Sequence, residues 1–430
     1  MSTIQRIAKN SVYQFLSNFA QKIFSLAIVF VLAKKFGVDN FGLYSFAFSF
    51  VAIFSIFADL GLSNLLIREA SKNNPDASRF LSNALSLKLI LSVFSFVVII
   101  LAGVIMKMDG FLLLLVALAA LSMVLDNIAG LFRGLFFAFE IFKYEFIVSF
   151  FYRTVLLALS LAVIFGGFGL VELLLATVLS SLLNLVLSVY FSRKHTIKPV
   201  FIINKNEMIG IMKASSSFFL IGFFMSIFAN IDIILLQFFW TQTEVGLYSA
   251  AVRLVTSLAI VSVTFMNSVF PVATKFFAAK NTSIGTVANK SLYYLMLFIL
   301  PVAVGTAILS KDIILFFYDK EFTGSILPLI LLGFASIFTF GNHVFIVLFN
   351  SVHREKNSLI QVSVLTIVNF VLNLFLIPAF SVDGAALSSI LSQFISFCVG
   401  FYFLSKYVAK IDFLSIYLKP TVASIGMGFF

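Results

Sequence analysis

The sequence predicts an all-α polytopic membrane protein made of two parallel six-helix lobes, and three observations predict it. Hydrophobic residues make up 61% of the chain and charged residues only 11%, with a mean hydropathy of +1.11. One soluble core cannot hide that much apolar surface. The chain also contains itself twice: Lys9–Val51 aligns without a gap on Lys213–Val255, a shift of 204 residues, with 14 of 43 positions identical where composition alone gives about four. The clearest stretch is Gly42-Leu43-Tyr44-Ser45 against Gly246-Leu247-Tyr248-Ser249. Finally, Lys and Arg alternate between a rich and a poor side of the apolar segments.

Apolar runs of about 20 residues, the length that spans a bilayer, predict helices near 12–33, 41–63, 82–105, 111–137, 145–166 and 170–191 in the first lobe. The second lobe repeats the count, near 214–239, 246–272, 288–309, 326–350, 358–380 and 384–405. Short polar connections separate them. One side of this alternation carries 20 Lys and Arg, from Arg6 and Lys9 to Lys419; the other carries five, Lys34, Lys35, Lys107, Lys311 and Lys320. The positive-inside rule makes the first side, and with it the N-terminus, cytoplasmic. Six helices return the chain to its starting side, so the repeats are related by an axis along the membrane normal, and the place expected for cargo is between them.

The lobes are expected at 1–191 and 214–405, joined by a basic cytoplasmic linker at 192–213. Residues 406–430 form a basic stretch followed, after Pro420, by a ten-residue apolar run that spans about half a bilayer. It reads as a partial thirteenth helix, either the start of a cut-short span or a segment that dips into the membrane. Arg6 and Lys9 precede an apolar run long enough to span and followed by no small-residue cleavage site, so the first helix is expected to be uncleaved. Cys398 is the single cysteine, which excludes an intrachain disulfide and a Cys-based zinc or redox centre. No cofactor, metal or catalytic group is expected, and no coupling ion is named by the residues. The net charge of +11 reports topology and contact with anionic membrane lipid, with no call for nucleic acid.

Charges within the helices carry the functional signal, because each costs about 2.5–3.5 kcal/mol near the bilayer centre and turns to a watery cavity or a partner. Lys22, Asp126, Arg153, Asp232 and Arg253 lie deep; Asp59 and Lys88 lie nearer the cytoplasmic ends and are expected to reach the interface, Lys88 by snorkelling. Asp232 and Arg253 sit about eight residues before and after the outer connection between helices seven and eight, at a depth of ~12 Å, so an ion pair is expected. That pair either fixes the hairpin or leaves Arg253 available to an anionic substrate. In the first repeat the aligned residues are Ile28 and Ser49. The basic members outnumber the acidic ones, which suits phosphate or carboxylate better than an organic cation.

Three further features read as structural. The 57 Phe residues suit lipid-facing bulk better than a groove for a polyprenyl tail. His343 suits a hydrogen-bonded structural role better than a proton relay. Pro301 and Pro328 are expected to bend helices nine and ten.

Several short motifs then resemble a known family. The lobe opening Lys9-Asn10-Ser11, the run Gly37 to Ser45 and Ala58-Asp59-Leu60-Gly61-Leu62, together with Asn230-Ile231-Asp232, Val245 to Leu254 and Asp383-Gly384-Ala385-Ala386-Leu387, are similar to the polysaccharide transporter family, whose O-antigen flippases belong to the MOP superfamily. The resemblance spans essentially the whole chain. It implies a MATE/MOP-like fold of two lobes around a central cavity in the cell membrane, and alternating-access flipping of a lipid-linked oligosaccharide to the outer leaflet. It also implies a monomer that works beside polysaccharide assembly enzymes. A MATE-type multidrug or cation exporter is the alternative; such members use acidic groups in helix one, where this chain has only Lys22 as an ionisable side chain. A membrane glycan polymerase or ligase would need a large external loop, and the longest external connection, Ser310–Ser325, has 16 residues.

Overall fold

The computed structural model describes residues 3–70, 77–196, 204–279, 284–408, 411 and 413–428. Among them every regular element is helical. The elements are α1 (Thr3–Asp59), α2 (Leu62–Ala70), α3 (Ala77–Ile105), α4 (Gly110–Ala138), α5 (Phe142–Phe165), α6 (Leu170–His195), α7 (Lys205–Phe239), α8 (Gln242–Ala278), α9 (Ile284–Phe317), a 3-10 turn (Lys320–Ser325), α10 (Ile326–Ser351), α11 (Glu355–Tyr407) and α12 (Phe413–Gly428).

Ten of these segments are long and apolar enough to cross a membrane, and they hold all twelve expected helices. The reason is that α1 and α11 each contain two. At 57 residues, a straight α1 would run about 85 Å, far beyond the ~30 Å hydrocarbon core. It breaks at Gly37, whose φ of 76° and ψ of 177° suit a residue without a Cβ. α11 breaks at Ser381, φ 51°. Just past that break, a Cβ on Gly384 would lie 2.1 Å from the Leu376 carbonyl oxygen; residues eight apart on one straight helix are about 12 Å apart, so the chain turns back here.

Two elements differ from expectation. The run expected as helix 41–63 ends at Asp59, and the left-handed pair Leu60 (φ 44°) and Gly61 (φ 76°) starts the separate short helix α2. Its Leu62, Leu65 and Leu66 follow the i, i+3, i+4 spacing of a one-sided helix and are buried: Leu66 against Leu131 and Leu135 of α4, Leu62 and Leu65 against Leu87, Met208 and Ile211. The thirteenth helix begins at Phe413 rather than after Pro420, includes that proline, and packs on α9. The 16-residue connection expected at 310–325 is largely helical, since α9 continues to Phe317 and the 3-10 turn follows. Pro301 lies inside α9; Pro328 lies in the first turn of α10, where a missing N–H breaks no helical bond. Of the expected linker, residues 197–203 lie outside the described residues.

The chain divides into two compact units, one of residues 1–36 and 43–226, the other of residues 37–42 and 227–430. Within the second unit the segment after Gly37 packs closely. The Val38 N–H donates to Glu321, and Phe41 is fully buried against Tyr318 and Phe322. A Cβ on Gly42 would lie 1.8 Å from the Gln242 carbonyl oxygen, and one on Gly246 would lie 2.2 Å from that of Val38. The glycines of the repeated Gly-Leu-Tyr-Ser stretch are thus the places where two backbones touch.

Candidate functional site

Among the described residues, each unit holds a helix-borne carboxylate that accepts hydrogen bonds from neutral donors on other helices. In the second unit it is Asp232 of α7, 6% exposed. The Tyr248 hydroxyl of α8 and the Ser389 hydroxyl of α11 (3.1 Å) donate to its Oδ2, and the Asn373 amide of α11 donates to Oδ1. Asn373 also donates to Asn369 Oδ1 at 3.1 Å, one helical turn away. The group borders a cavity of about 190 Å³ whose other walls, including Phe228, Val252, Val255 and Phe340, are mostly apolar. Deeper along the same unit, Asn342 of α10 donates to Gln393 Oε1 at 2.8 Å and accepts from Gln361 at 2.9 Å. His343 and Ser262 share a 2.6 Å hydrogen bond.

The expected Asp232–Arg253 ion pair does not form among the described residues. Helical phase explains why. Tyr248, which meets Asp232, and Arg253 are five residues apart on α8, which places their side chains about 140° apart around its axis. Arg253 is half-buried and lies instead close enough to Tyr318 for its charge to act on that phenol. Burial raises the Tyr318 phenol well above its ordinary value and the guanidinium opposes that rise. Tyr318 is itself fully buried and donates to the Ala250 carbonyl at 3.2 Å.

In the first unit the carboxylate is Asp126 of α4. It accepts from Tyr152 of α5 (3.1 Å) and Ser181 of α6 (3.0 Å) on Oδ2, and from Asn184 of α6 (2.7 Å) on Oδ1. Its other side borders a cleft of about 320 Å³. Arg153, half-buried, holds its guanidinium 4.7 Å from the centroid of the Tyr152 ring, a cation–π contact. Lys22 lies on an exposed face of α1.

Lys88 corrects the sequence reading. It does not snorkel: its side chain is 1% exposed and paired with Asp59, which is 22% exposed. Ser63 completes a triad, accepting from Lys88 at 2.9 Å and donating to Asp59 at 2.6 Å. The cause is α2, which packs Leu62 and Leu65 beside Leu87 and closes the route that a snorkelling lysine needs. A second pair went unforeseen. Arg133 of α4 lies 3.7 Å from Glu145 of α5, and Ser149 bridges them, accepting from Arg133 at 3.2 Å and donating to Glu145 at 2.9 Å.

Reading charges alone misses the neutral partners, yet the sequence carries a signal for them. Ser181, Asn184, Ser188 and Ser192 form a polar stripe at helical spacing on α6, and Ser388, Ser389, Ser392, Gln393 and Ser396 form another on α11. A polar stripe within an apolar span marks the face turned from lipid.

Comparison with known proteins now places the chain. The family model described as polysaccharide biosynthesis protein matches residues 7–277, and that described as lipid II flippase MurJ matches residues 198–425. A Haloferax volcanii protein named as a probable low-salt glycan biosynthesis flippase, Agl15, is 25% identical over 416 residues, covering 94% of this chain and 84% of its own. Among solved structures, lipid II flippase MurJ in an inward closed conformation matches with a TM-score of 0.74 at 18% identity, covering 97% of this chain and 91% of that one. An inward-facing multidrug resistance MATE family transporter of the MOP superfamily matches at 0.72 and 15% identity, covering 95% of each chain. These two establish the fold. This multi-pass membrane protein, its repeat, its spans and its motifs accounted for, belongs to the polysaccharide biosynthesis protein family.

Proposed function

We propose that this protein is a flippase that moves a polyprenyl-(pyro)phosphate-linked oligosaccharide from the cytoplasmic to the outer leaflet by alternating access, for surface glycan synthesis. The observation that carries the reading is the match along 94% of the chain, at 25% identity, to a protein named as a probable low-salt glycan biosynthesis flippase. The chain's deep charges support it. A phosphate crossing a low-dielectric region loses its hydration, and cationic side chains offset that loss. Lys22 and Arg153, with Asp126, in the first unit and Arg253, with Asp232, in the second are the residues proposed to bind substrate, each set taken within its own unit. Asp59 and Lys88, locked together, hold helices. In this reading the six-helix lobes 1–191 and 214–405 alternate about the linker 192–213, and the protein works as a monomer supplied by glycan assembly enzymes.

Guanidinium can bind phosphate oxygens as a bidentate fork while an ammonium is a point charge, so Arg253 and Lys22 are not interchangeable. The test is surface glycan in a strain lacking its own transporter, read beside membrane abundance of each variant. Arg253→Ala abolishes display at normal abundance, and Arg253→Lys restores part of it. Full display by a well-expressed Lys22→Ala, Arg253→Ala double variant rejects the charge cradle. A MATE-type exporter is the second reading, favoured by the fold match; it predicts drug resistance rather than glycan display in the same strain.

A further inference from the structure

Both units carry the same cluster of rings and cations at the end that the Lys and Arg asymmetry assigns to the cytoplasm. α6 ends in Tyr190-Phe191 and Lys194-His195, and α11 ends in Tyr402-Phe403 and Lys406-Tyr407, which align at a shift of 212 residues. In each helix the lysine reaches back one turn to the tyrosine: Lys194 Nζ lies 5.9 Å from the Tyr190 ring centroid and Lys406 Nζ 5.3 Å from that of Tyr402. The phenylalanine packs on the last ring in both, Phe191 on His195 at 6.4 Å and Phe403 on Tyr407 at 6.1 Å. A second cation arrives from the start of another helical segment of the same unit. In the first unit Lys143 lies 5.9 Å from the Tyr144 ring, which stacks on His195 at 4.1 Å. In the second, Arg354 holds its guanidinium 4.7 Å from the Tyr407 ring.

These charges are anchored but not neutralised. A ring face attracts a cation through its quadrupole and brings no compensating charge. Among the described residues none of Lys143, Lys194, Arg354 and Lys406 pairs with a carboxylate; Glu145 faces Arg133, and Glu355 faces His353. Where the chain buries a cation it does supply one, as Asp59 does for Lys88. The helix dipole explains half of the set. It favours Lys194 and Lys406 at helix C-termini, but it opposes Lys143 in the first turn of α5 and Arg354 at the N-cap of α11. All four side chains are exposed. The Lys406 ammonium donates to the Tyr402 hydroxyl at 3.1 Å, which leaves the hydroxyl's own proton for another acceptor. Arg354 and Lys406 stand 4.7 and 5.2 Å from the centre of one ring, that of Tyr407, so their two charges converge on one small anion.

We propose that the cluster in each unit binds the headgroup phosphate of an anionic phospholipid in the leaflet at that end of the helices. Cations and a tyrosine hydroxyl are the donors that a phosphate needs. Amphipathic rings seat at the headgroup level, and Tyr190 and Tyr402, each 55% exposed, supply one to each cluster. The cytoplasmic leaflet is rich in anionic lipid and draws basic side chains. A soluble phosphate needs no such ring, and a single carried lipid needs no second copy of its site. The inference rests on each unit's own geometry and not on which lipid is carried.

The test is binding rather than transport, so its failure is separate from failure of the flippase reading. The full chain in neutral detergent is titrated with phosphatidylglycerol, phosphatidylcholine, inorganic phosphate or a polyprenyl phosphate, and bound molecules are counted by native mass spectrometry. Two phosphatidylglycerol molecules bind ahead of the other three ligands. The Lys143→Ala, Lys194→Ala pair removes one and the Arg354→Ala, Lys406→Ala pair removes the other, each with an affinity loss of about tenfold or more. Lys35→Ala, which removes a lysine 5.6 Å from the Phe165 ring at the opposite end of α5, keeps both. Unchanged phosphatidylglycerol binding in the protein with all four substitutions overturns the proposal, as does a Lys35→Ala loss equal to that of either pair. Phosphatidylcholine or inorganic phosphate binding as tightly as phosphatidylglycerol also overturns it, and so does tighter binding of the polyprenyl phosphate, which assigns the clusters to cargo. If the four-substitution protein fails to fold, Tyr190→Leu and Tyr402→Leu keep every charge, and unchanged affinity in both overturns it by itself.

Discussion

Buried charge in this protein is handled in two ways, and single substitutions tell them apart. The Lys88–Asp59 pair is internally neutral, so removing one member strands the other. Lys88→Met leaves a carboxylate without its ammonium and costs about 3–5 kcal/mol, while the Asp59→Asn, Lys88→Met double variant recovers most of that loss. Melting of the purified variants measures it; a double variant as unstable as Lys88→Met contradicts this account. Asp232 is held by neutral donors alone, so Tyr248→Phe removes one hydrogen bond and leaves the rest. About 1–3 kcal/mol is the expected cost, with little gained by also changing Ser389, which shares the same oxygen. These neutral partners are what a reading of charges alone passes over. A tyrosine or asparagine in an apolar span looks like ordinary composition until a carboxylate is found opposite it.

At the scale of elements, the spans were legible because hydropathy over about 20 residues is a physical requirement of the bilayer. α2 was not legible, since nine residues are too few to register as a span and its turn depends on left-handed Leu60 and Gly61. That missed element is also what buried Lys88 against expectation. Helical phase accounts for the other error. Equal depth placed Asp232 and Arg253 side by side, whereas rotation about α8 decides which side chain arrives, and it delivers Tyr248. The glycine contacts give a prediction at this scale. Gly42→Ala and Gly246→Ala each force a methyl into a carbonyl and destabilise by about 1–3 kcal/mol or more. Because both act on one crossing of α1 and α8, the double variant costs less than the sum of the two. Additive melting shifts would mean the two contacts are independent.

For the whole molecule, the Lys and Arg asymmetry predicts orientation. In a Cys398→Ser background, a cysteine placed at Asn206 at the start of α7 reacts with an impermeant maleimide only after the cell is permeabilised, while one at Lys107, between α3 and α4, reacts in intact cells. Labelling of Asn206 from outside reverses the assignment. The family and its fold were readable from ordered short motifs, several of which mark a turn, as at Gly37 and Leu60-Gly61, or a close backbone approach, as at Gly42, Gly246 and Gly384. The hydrogen-bond partners of Asp126 were not readable, because they depend on how α4, α5 and α6 are rotated against one another, and that is decided only once the helices are placed.

The crossing of α1 and α8 has a further property. Gly42 meets Gln242, and Gly246 meets Val38; the Thr243 hydroxyl donates to Asp39 at 2.5 Å. Shifted by the 204 residues of the repeat, Val38 becomes Gln242, Gly42 becomes Gly246 and Asp39 becomes Thr243. The contact thus maps onto itself, with Asp39 and Thr243 on its axis, which is the pattern of an isologous dimer interface. A half-length ancestor could make this junction with an identical copy, so gene duplication and fusion required no new surface here. Fusion then released the two faces from sharing one sequence, and an aspartate on one side could meet a threonine on the other where a symmetric dimer would have set aspartate against aspartate.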